Sequence, residues 1–261
     1  VKKNIILAYH RVLPAKEAIA RGVLAVTETE FEKQLQLLVS KGYKCFTLKE
    51  YFANYAELKT KEKSFVITFD DGYMDNYAFA FKVLKKLDLR ATIFLTADYL
   101  ESDRNLFFEK GEPSYCITEY DRLLNKEEIL EMSEYGIEFG SHTLSHPHLT
   151  QISNDEAEKE IKNSKKVLEA YLGQDVVSFC YPYGNINERV VELVKEAGYK
   201  VGVVTTASSG IPKGPFTLRR TGVYLSDSID KFKLKSTALF YFIREISFGQ
   251  SFLKAIKLWV K

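Results

Sequence analysis

Short apolar, β-branched runs alternate with longer amphipathic segments along most of this chain, and that alternation restricts its fold more than any other feature. The runs occupy residues 5–9, 44–47, 65–69, 91–96, 138–141, 176–181, 200–204 and 216–221. Helix starts are legible between them. Thr27, Asn125 and Ser153 each stand three positions before a glutamate, the arrangement that satisfies the first free N–H groups of a helix. The helix expected after Ser153 carries Ala157, Ile161, Leu168, Tyr171 and Leu172 near one face, and Gly173 sits where its C-terminal cap belongs. Strand–helix alternation implies a mostly parallel sheet covered by helices. Seven or eight strands fit either a barrel or an open doubly wound sheet, and in both function collects at the carboxyl ends of the strands. His10, Asp70, Asp71, His142 and the Pro182-Tyr183 pair all fall just after a strand run.

Composition narrows the function classes. With 46% hydrophobic and 28% charged residues the chain has the profile of a soluble globular enzyme. A formal net charge of +2 gives no sign of a nucleic-acid partner. Cys45, Cys116 and Cys180 are too scattered for a disulfide framework or a zinc knuckle. The run 5–9 is too short for a signal-peptide core, and no stretch reaches the roughly 20 apolar residues of a membrane span. Location is expected to be the cytoplasm or the cell envelope, with a trimmed leader left open. We expect a single catalytic domain over 1–261, ending in a basic amphipathic segment at about 236–261. There Phe252, Ile256 and Trp259 form a stripe away from Lys254, Lys257 and Lys261. That segment either packs on the domain or touches an anionic membrane surface. The aromatic and charged stretch 98–124 is long for a loop and is a candidate wall of the substrate cleft.

Two motifs carry chemistry. Phe69-Asp70-Asp71-Gly72-Tyr73 places two consecutive carboxylates at the end of a buried-looking strand, which is costly without compensation; Asp-Gly is also an ordinary turn pair. In Gly140-Ser141-His142-Thr143-Leu144-Ser145-His146-Pro147-His148, three of the four histidines lie within seven residues. His142 and His146, four apart, can present two imidazoles to one ion, while His148 is spare. One carboxylate and these two histidines make a three-ligand set with positions left open. That set suits zinc, and also cobalt, nickel, manganese or iron. The second carboxylate would then be placed to handle a proton.

Thr68-Phe69-Asp70-Asp71-Gly72, Ser141-His142-Thr143-Leu144-Ser145-His146 and Tyr181-Pro182-Tyr183-Gly184 resemble, in order, the motifs of the polysaccharide deacetylase family. This is the NodB-homology group, carbohydrate esterase family 4, and the match spans roughly residues 5–223. The resemblance implies an irregular (β/α) barrel of about seven strands and a metal-dependent hydrolase that removes N-acetyl groups from an amino-sugar glycan. It implies Asp70 as base, Asp71, His142 and His146 as metal ligands, most simply of Zn2+, and the Tyr183 N–H as an oxyanion donor beside Pro182. Two departures stand out. Cys180 occupies the place of an arginine that in many members orients the base, and Arg220 is the candidate replacement. No histidine follows His148 to supply the usual late acid. His10, in Ala8-Tyr9-His10, resembles the N-terminal Tyr-His motif of a rearranged branch that includes poly-N-acetylglucosamine deacetylases. First and last strands adjoin in a closed barrel, so His10 can take the acid's part. Tyr9, Tyr73 and Tyr183 are candidates to stack on sugar rings. The alternatives are deacylation, including deformylation, of a lipid-linked or other small amino sugar, and more distantly a non-catalytic glycan-binding module.

Overall fold

The computed structural model describes residues 4–55, 58, 62–101, 118–205 and 214–237. Its strands are β1 (Asn4–Tyr9), β2 (Arg11–Leu13), β3 (Ala25–Thr27), β4 (Lys44–Phe46), β5 (Ser64–Phe69), β6 (Thr92–Leu95), β7 (Glu138–Ser141), β8 (Ser178–Cys180), β9 (Val201–Val204), β10 (Leu218–Arg219) and β11 (Thr221–Gly222). Every apolar run of the sequence thus contributes a strand. The main sheet runs β10-β9-β8-β7-β6-β5-β1-β11, all pairs parallel, with β4 paired to the first half of β5. Only Arg220 separates β10, which pairs with β9, from β11, which pairs with β1. The segment therefore reaches both edges of the sheet and draws it into a nearly closed barrel, which leaves little edge exposed. The open doubly wound alternative is excluded. A second, two-stranded sheet of β2 and β3 was not anticipated, because runs of three residues carry no readable alternation.

Side-chain alternation along β1 divides the core into two layers. Ile5, Leu7 and Tyr9 join Phe31, Leu35 and Leu38 of the helix Glu28–Ser40 outside the barrel. Ile6 points the other way, among Val66, Phe94, Cys180, Val201 and Val203. Burying each such side chain contributes about 1.5–3 kcal/mol. The three expected helix starts are formed: Thr27, Asn125 and Ser153 each accept a backbone N–H from the glutamate three residues on. Gly173 caps the helix Asn154–Leu172 in the left-handed region, at φ 67°. No described helix is long and apolar enough to cross a membrane. The stripe 252–259 of the C-terminal segment, Cys116 and most of the stretch 98–124 lie outside the described residues.

Candidate active site

The carboxyl ends of β1, β5, β7 and β8, with the joint between β10 and β11, meet at one mouth of the barrel. Asp70 still belongs to the ladder, its N–H donating to the Tyr9 carbonyl at 3.0 Å. Asp71 and Gly72 then turn out of the strand in the left-handed region, at φ 73° and 77°. Glycine is favoured at 72 on two counts, since its left-handed φ strains a side-chain-bearing residue and a Cβ there would lie 2.5 Å from the tip of the Leu95 side chain. This turn sends the two neighbouring carboxylates to different partners.

Asp70 is buried and faces Arg220. The guanidinium donates Nη1 to Oδ1 at 2.6 Å and Nη2 to Oδ2 at 2.7 Å, a bidentate pair in which both residues are buried. Arg220 also donates to Thr68 Oγ1 at 2.9 Å and to Cys180 Sγ at 3.1 Å. Arg220, on the barrel-closing segment, thus grips Asp70, with the Cys180 thiol filling the space beside the guanidinium. Burial alone would raise the Asp70 pKa, but the Arg220 charge and hydrogen bonds outweigh it and hold the carboxyl well below the usual carboxylate range. Burial likewise pushes the Cys180 thiol well above its ordinary value, which makes it an inert filler rather than a nucleophile. His10 follows β1 and places Nε2 3.8 Å from Asp70 Oδ2, with a fifth of its side chain still exposed.

Asp71 faces the histidines. Its Oδ1 lies 3.7 Å from His142 Nε2 and 3.5 Å from His146 Nε2, and the two Nε2 atoms are 3.2 Å apart. His142 Nδ1 is 2.8 Å from the Cys180 carbonyl, which fixes Nδ1 as the protonated nitrogen and leaves Nε2 as a lone-pair donor. Burial and the neighbouring His146 lower the His142 pKa to about 4, so the imidazole is neutral at working pH, as a ligand must be. Asp71 Oδ1 is buried without a hydrogen-bond partner. A buried carboxylate oxygen and two convergent imidazole nitrogens, all within 4.8 Å of one another, are the donor set a divalent cation takes. The residues present fit a metal.

Tyr183 is the middle residue of the turn Pro182–Gly184, at φ 58°. Its ring is 41% exposed, lies edge-on to His146 and stacks on His148 at 3.8 Å between centroids. His148, with Nδ1 3.1 Å from Asn185 Oδ1, supports that ring rather than the metal set. Pro182 is buried. Two sugar-stacking candidates are corrected. Tyr9 is fully buried between Phe31 and Phe69, its hydroxyl donating to Gln34. Tyr73, 2% exposed, packs with Tyr99 and Leu123 under the Arg11 guanidinium. Neither ring has a face open to a sugar.

Sequence reasoning missed the groups that hold this mouth in place. Arg11 donates to Asp75 at 2.6 Å and to Asp121 at 2.8 Å, and Arg21 binds both oxygens of Asp121. Asp75 also accepts the Val12 N–H, and Asn76 donates to the His10 carbonyl. Two arginines and two aspartates thus fasten the residues that follow β1 to the segments after β5, through Asp75, and after β6, through Asp121. Their separation in sequence, 64 residues between Arg11 and Asp75, hid them.

The polysaccharide deacetylase family model matches residues 57–202, and the chain belongs to this family, hydrolases of a non-peptide carbon–nitrogen bond. The poly-beta-1,6-N-acetyl-D-glucosamine N-deacetylase of Staphylococcus epidermidis is 32% identical over 189 residues, 68% of this chain and 60% of that protein. Among solved structures, the Streptococcus pyogenes deacetylase PplD in complex with acetate superposes with a TM-score of 0.73 at 28% identity, covering 90% of this chain and 98% of that one. A polysaccharide deacetylase from Bacillus cereus gives 0.71 at 27% identity, over 89% and 68%.

Proposed function

We propose that the protein is a metal-dependent N-deacetylase of a glycan containing N-acetylated amino sugars, contained in one catalytic domain. The observation that carries this reading is the division of labour between adjacent carboxylates: Asp70 is paired with Arg220, and Asp71 is turned to His142 and His146. A binding module has no use for both. Asp71, His142 and His146 would hold the ion, most simply Zn2+, which supplies Lewis-acid polarisation of the acetyl carbonyl and a lowered pKa for water. Asp70, ionised throughout the working range, accepts the proton of the attacking water. Arg220 fixes the direction of its oxygens. The Tyr183 N–H donates to the oxyanion that develops on the acetyl oxygen, a contribution commonly of about 2.7–4 kcal/mol. His10 gives a proton to the departing amine nitrogen, so that the C–N bond breaks to acetate and a free amino sugar. The exposed face of Tyr183 offers the sugar ring an aromatic surface. Acetate bound by the S. pyogenes relative is the acid product this reaction requires.

The test is acetate release from poly-N-acetylglucosamine, chitin oligomers and peptidoglycan, run with metal analysis of the same preparation. Acetate from at least one polymer, abolished by a chelator and restored by Zn2+ or Co2+, is the expected result. A metal-loaded protein releasing acetate from none of them would overturn the polymer reading and point to a small, formylated or lipid-linked amino sugar.

A further inference from the structure

The turn that carries the two histidines is backbone-strained. Thr143 and His146 both lie in the left-handed region, at φ 69° and 64°, and neither is glycine. Side chains of their own turn only partly account for it: Thr143 Oγ1 accepts the His146 N–H at 3.0 Å, and the Ser141 hydroxyl oxygen lies 3.3 Å from the Thr143 N–H. Across from the turn stands Glu160, in the second turn of the helix Asn154–Leu172. One of its oxygens accepts the Leu144 N–H at 2.9 Å and the Ser145 N–H at 3.0 Å, and the other accepts the Ser145 hydroxyl at 2.6 Å. Both carboxylate oxygens are thus committed to the two residues between the strained positions.

We infer that Glu160 is a positioning residue for the metal site, holding the 143–146 turn so that His142 and His146 converge before any ion arrives. The inference rests on the metal reading given above. The physical argument is that a strained turn persists only where its surroundings over-determine it. Two charge-assisted hydrogen bonds from consecutive N–H groups, with a third from the adjoining hydroxyl, do so from outside the turn. Helical packing anchors Glu160, the acceptor of these bonds, since Ala157, Ile161 and Ser164 on the same helix are buried. With Glu160 gone, the two free N–H groups turn to water. His146 then relaxes from φ 64°, and its Nε2 leaves the 3.2 Å approach to His142 Nε2. Partners of this kind, behind the ligands themselves, commonly govern 10–100-fold in metal affinity.

The experiment measures Zn2+ and Co2+ affinity by calorimetry on chelator-stripped protein, for wild type, Glu160→Ala, Glu160→Gln, and Lys159→Ala as a control on the same helix. Thermal melting in chelator checks that each stripped protein is folded. We expect Glu160→Ala to bind about 10–100-fold more weakly. Glu160→Gln keeps an oxygen for both N–H groups but not the charge, and should fall between Glu160→Ala and wild type; Lys159→Ala should match wild type. Folded Glu160→Ala binding as tightly as wild type overturns the inference and leaves the metal site standing. If Glu160→Ala does not fold, Glu160→Gln decides alone, and wild-type affinity in it overturns the inference. Wild type that binds neither metal removes the metal reading itself, and this inference with it.

Discussion

At the scale of single residues, the Asp70–Arg220 pair sets the pH behaviour. The folded pKa of Asp70 lies below the value of about 3.9 expected in the unfolded chain. The pair therefore contributes stability that is present above about pH 4 and is lost as pH falls through the folded value. Arg220→Ala removes the charge and leaves burial, which raises a carboxylate. The acidic limb of the pH–activity profile should then move upward, with activity at neutral pH reduced at least about tenfold; an unmoved limb would mean that Arg220 does not hold the base. Asp70→Asn should abolish acetate release while metal binding stays at the wild-type level, since Asp71, and not Asp70, stands opposite both His142 and His146. His10→Ala should slow turnover by about 100-fold, within the range for a lost general acid, at unchanged metal content. Loss of the metal in that variant would make His10 a ligand and sink the acid assignment.

At the scale of elements, the buried arginine–aspartate cluster keeps the segment after β1, and with it His10, against the segments after β5 and β6. Asp121 serves both Arg11 and Arg21. Asp121→Ala takes one carboxylate from two buried guanidinium groups, leaving Arg11 with Asp75 and Arg21 with Glu17 and Thr118, and losing charge-assisted hydrogen bonds of this kind costs about 1.5–3 kcal/mol. Urea unfolding should register that loss, and a change under 1 kcal/mol would mean that water replaces the carboxylate freely. The same scale separates what was legible in the sequence from what was not. Asp70, Asp71, His142 and His146 were readable because each pair is local: adjacent carboxylates, and histidines four apart. The strands were readable because a barrel strand is a continuous apolar run. Arg220 was only nameable as a candidate, because paired arginines look solvent-facing. Its burial follows from the break between β10 and β11, where one residue must point inward as its strand changes partner. Tyr9 and Tyr73 misled for the reverse reason: a tyrosine beside a site motif reads as a ligand platform, but strand alternation sends Tyr9 outward under a helix. Glu160 and the arginine–aspartate cluster depend on contacts between distant segments, and no local pattern announces those.

At the scale of the whole molecule, the five residues that close the barrel also carry the partner of the proposed base. Segment 218–222 pairs with β9 through Leu218 and Arg219 and with β1 through Thr221 and Gly222, and Arg220 between them is the residue that grips Asp70. Closure should therefore be visible in the active site. Gly202 offers a handle remote from the chemistry. It lies in β9, its N–H donates to the Pro215 carbonyl at 2.9 Å, and a Cβ at this position would stand 2.6 Å from the Phe216 carbonyl oxygen. Backbone cannot swing aside as a flexible side chain does, so Gly202→Ala must push residues 215–217 away from β9. Overpacking of this sort costs about 1–3 kcal/mol, which urea unfolding will measure. The displacement is passed two residues on, to the strand pair that seats Arg220. We expect the acidic limb of the activity profile to shift upward in Gly202→Ala, in the same direction as in Arg220→Ala and by less, with metal affinity unchanged because Asp71, His142 and His146 lie on the turns that follow β5 and β7. A variant that loses stability yet keeps the wild-type limb would separate closure from the base, and would locate the Arg220 grip in the side chain's own packing rather than in the strand that carries it.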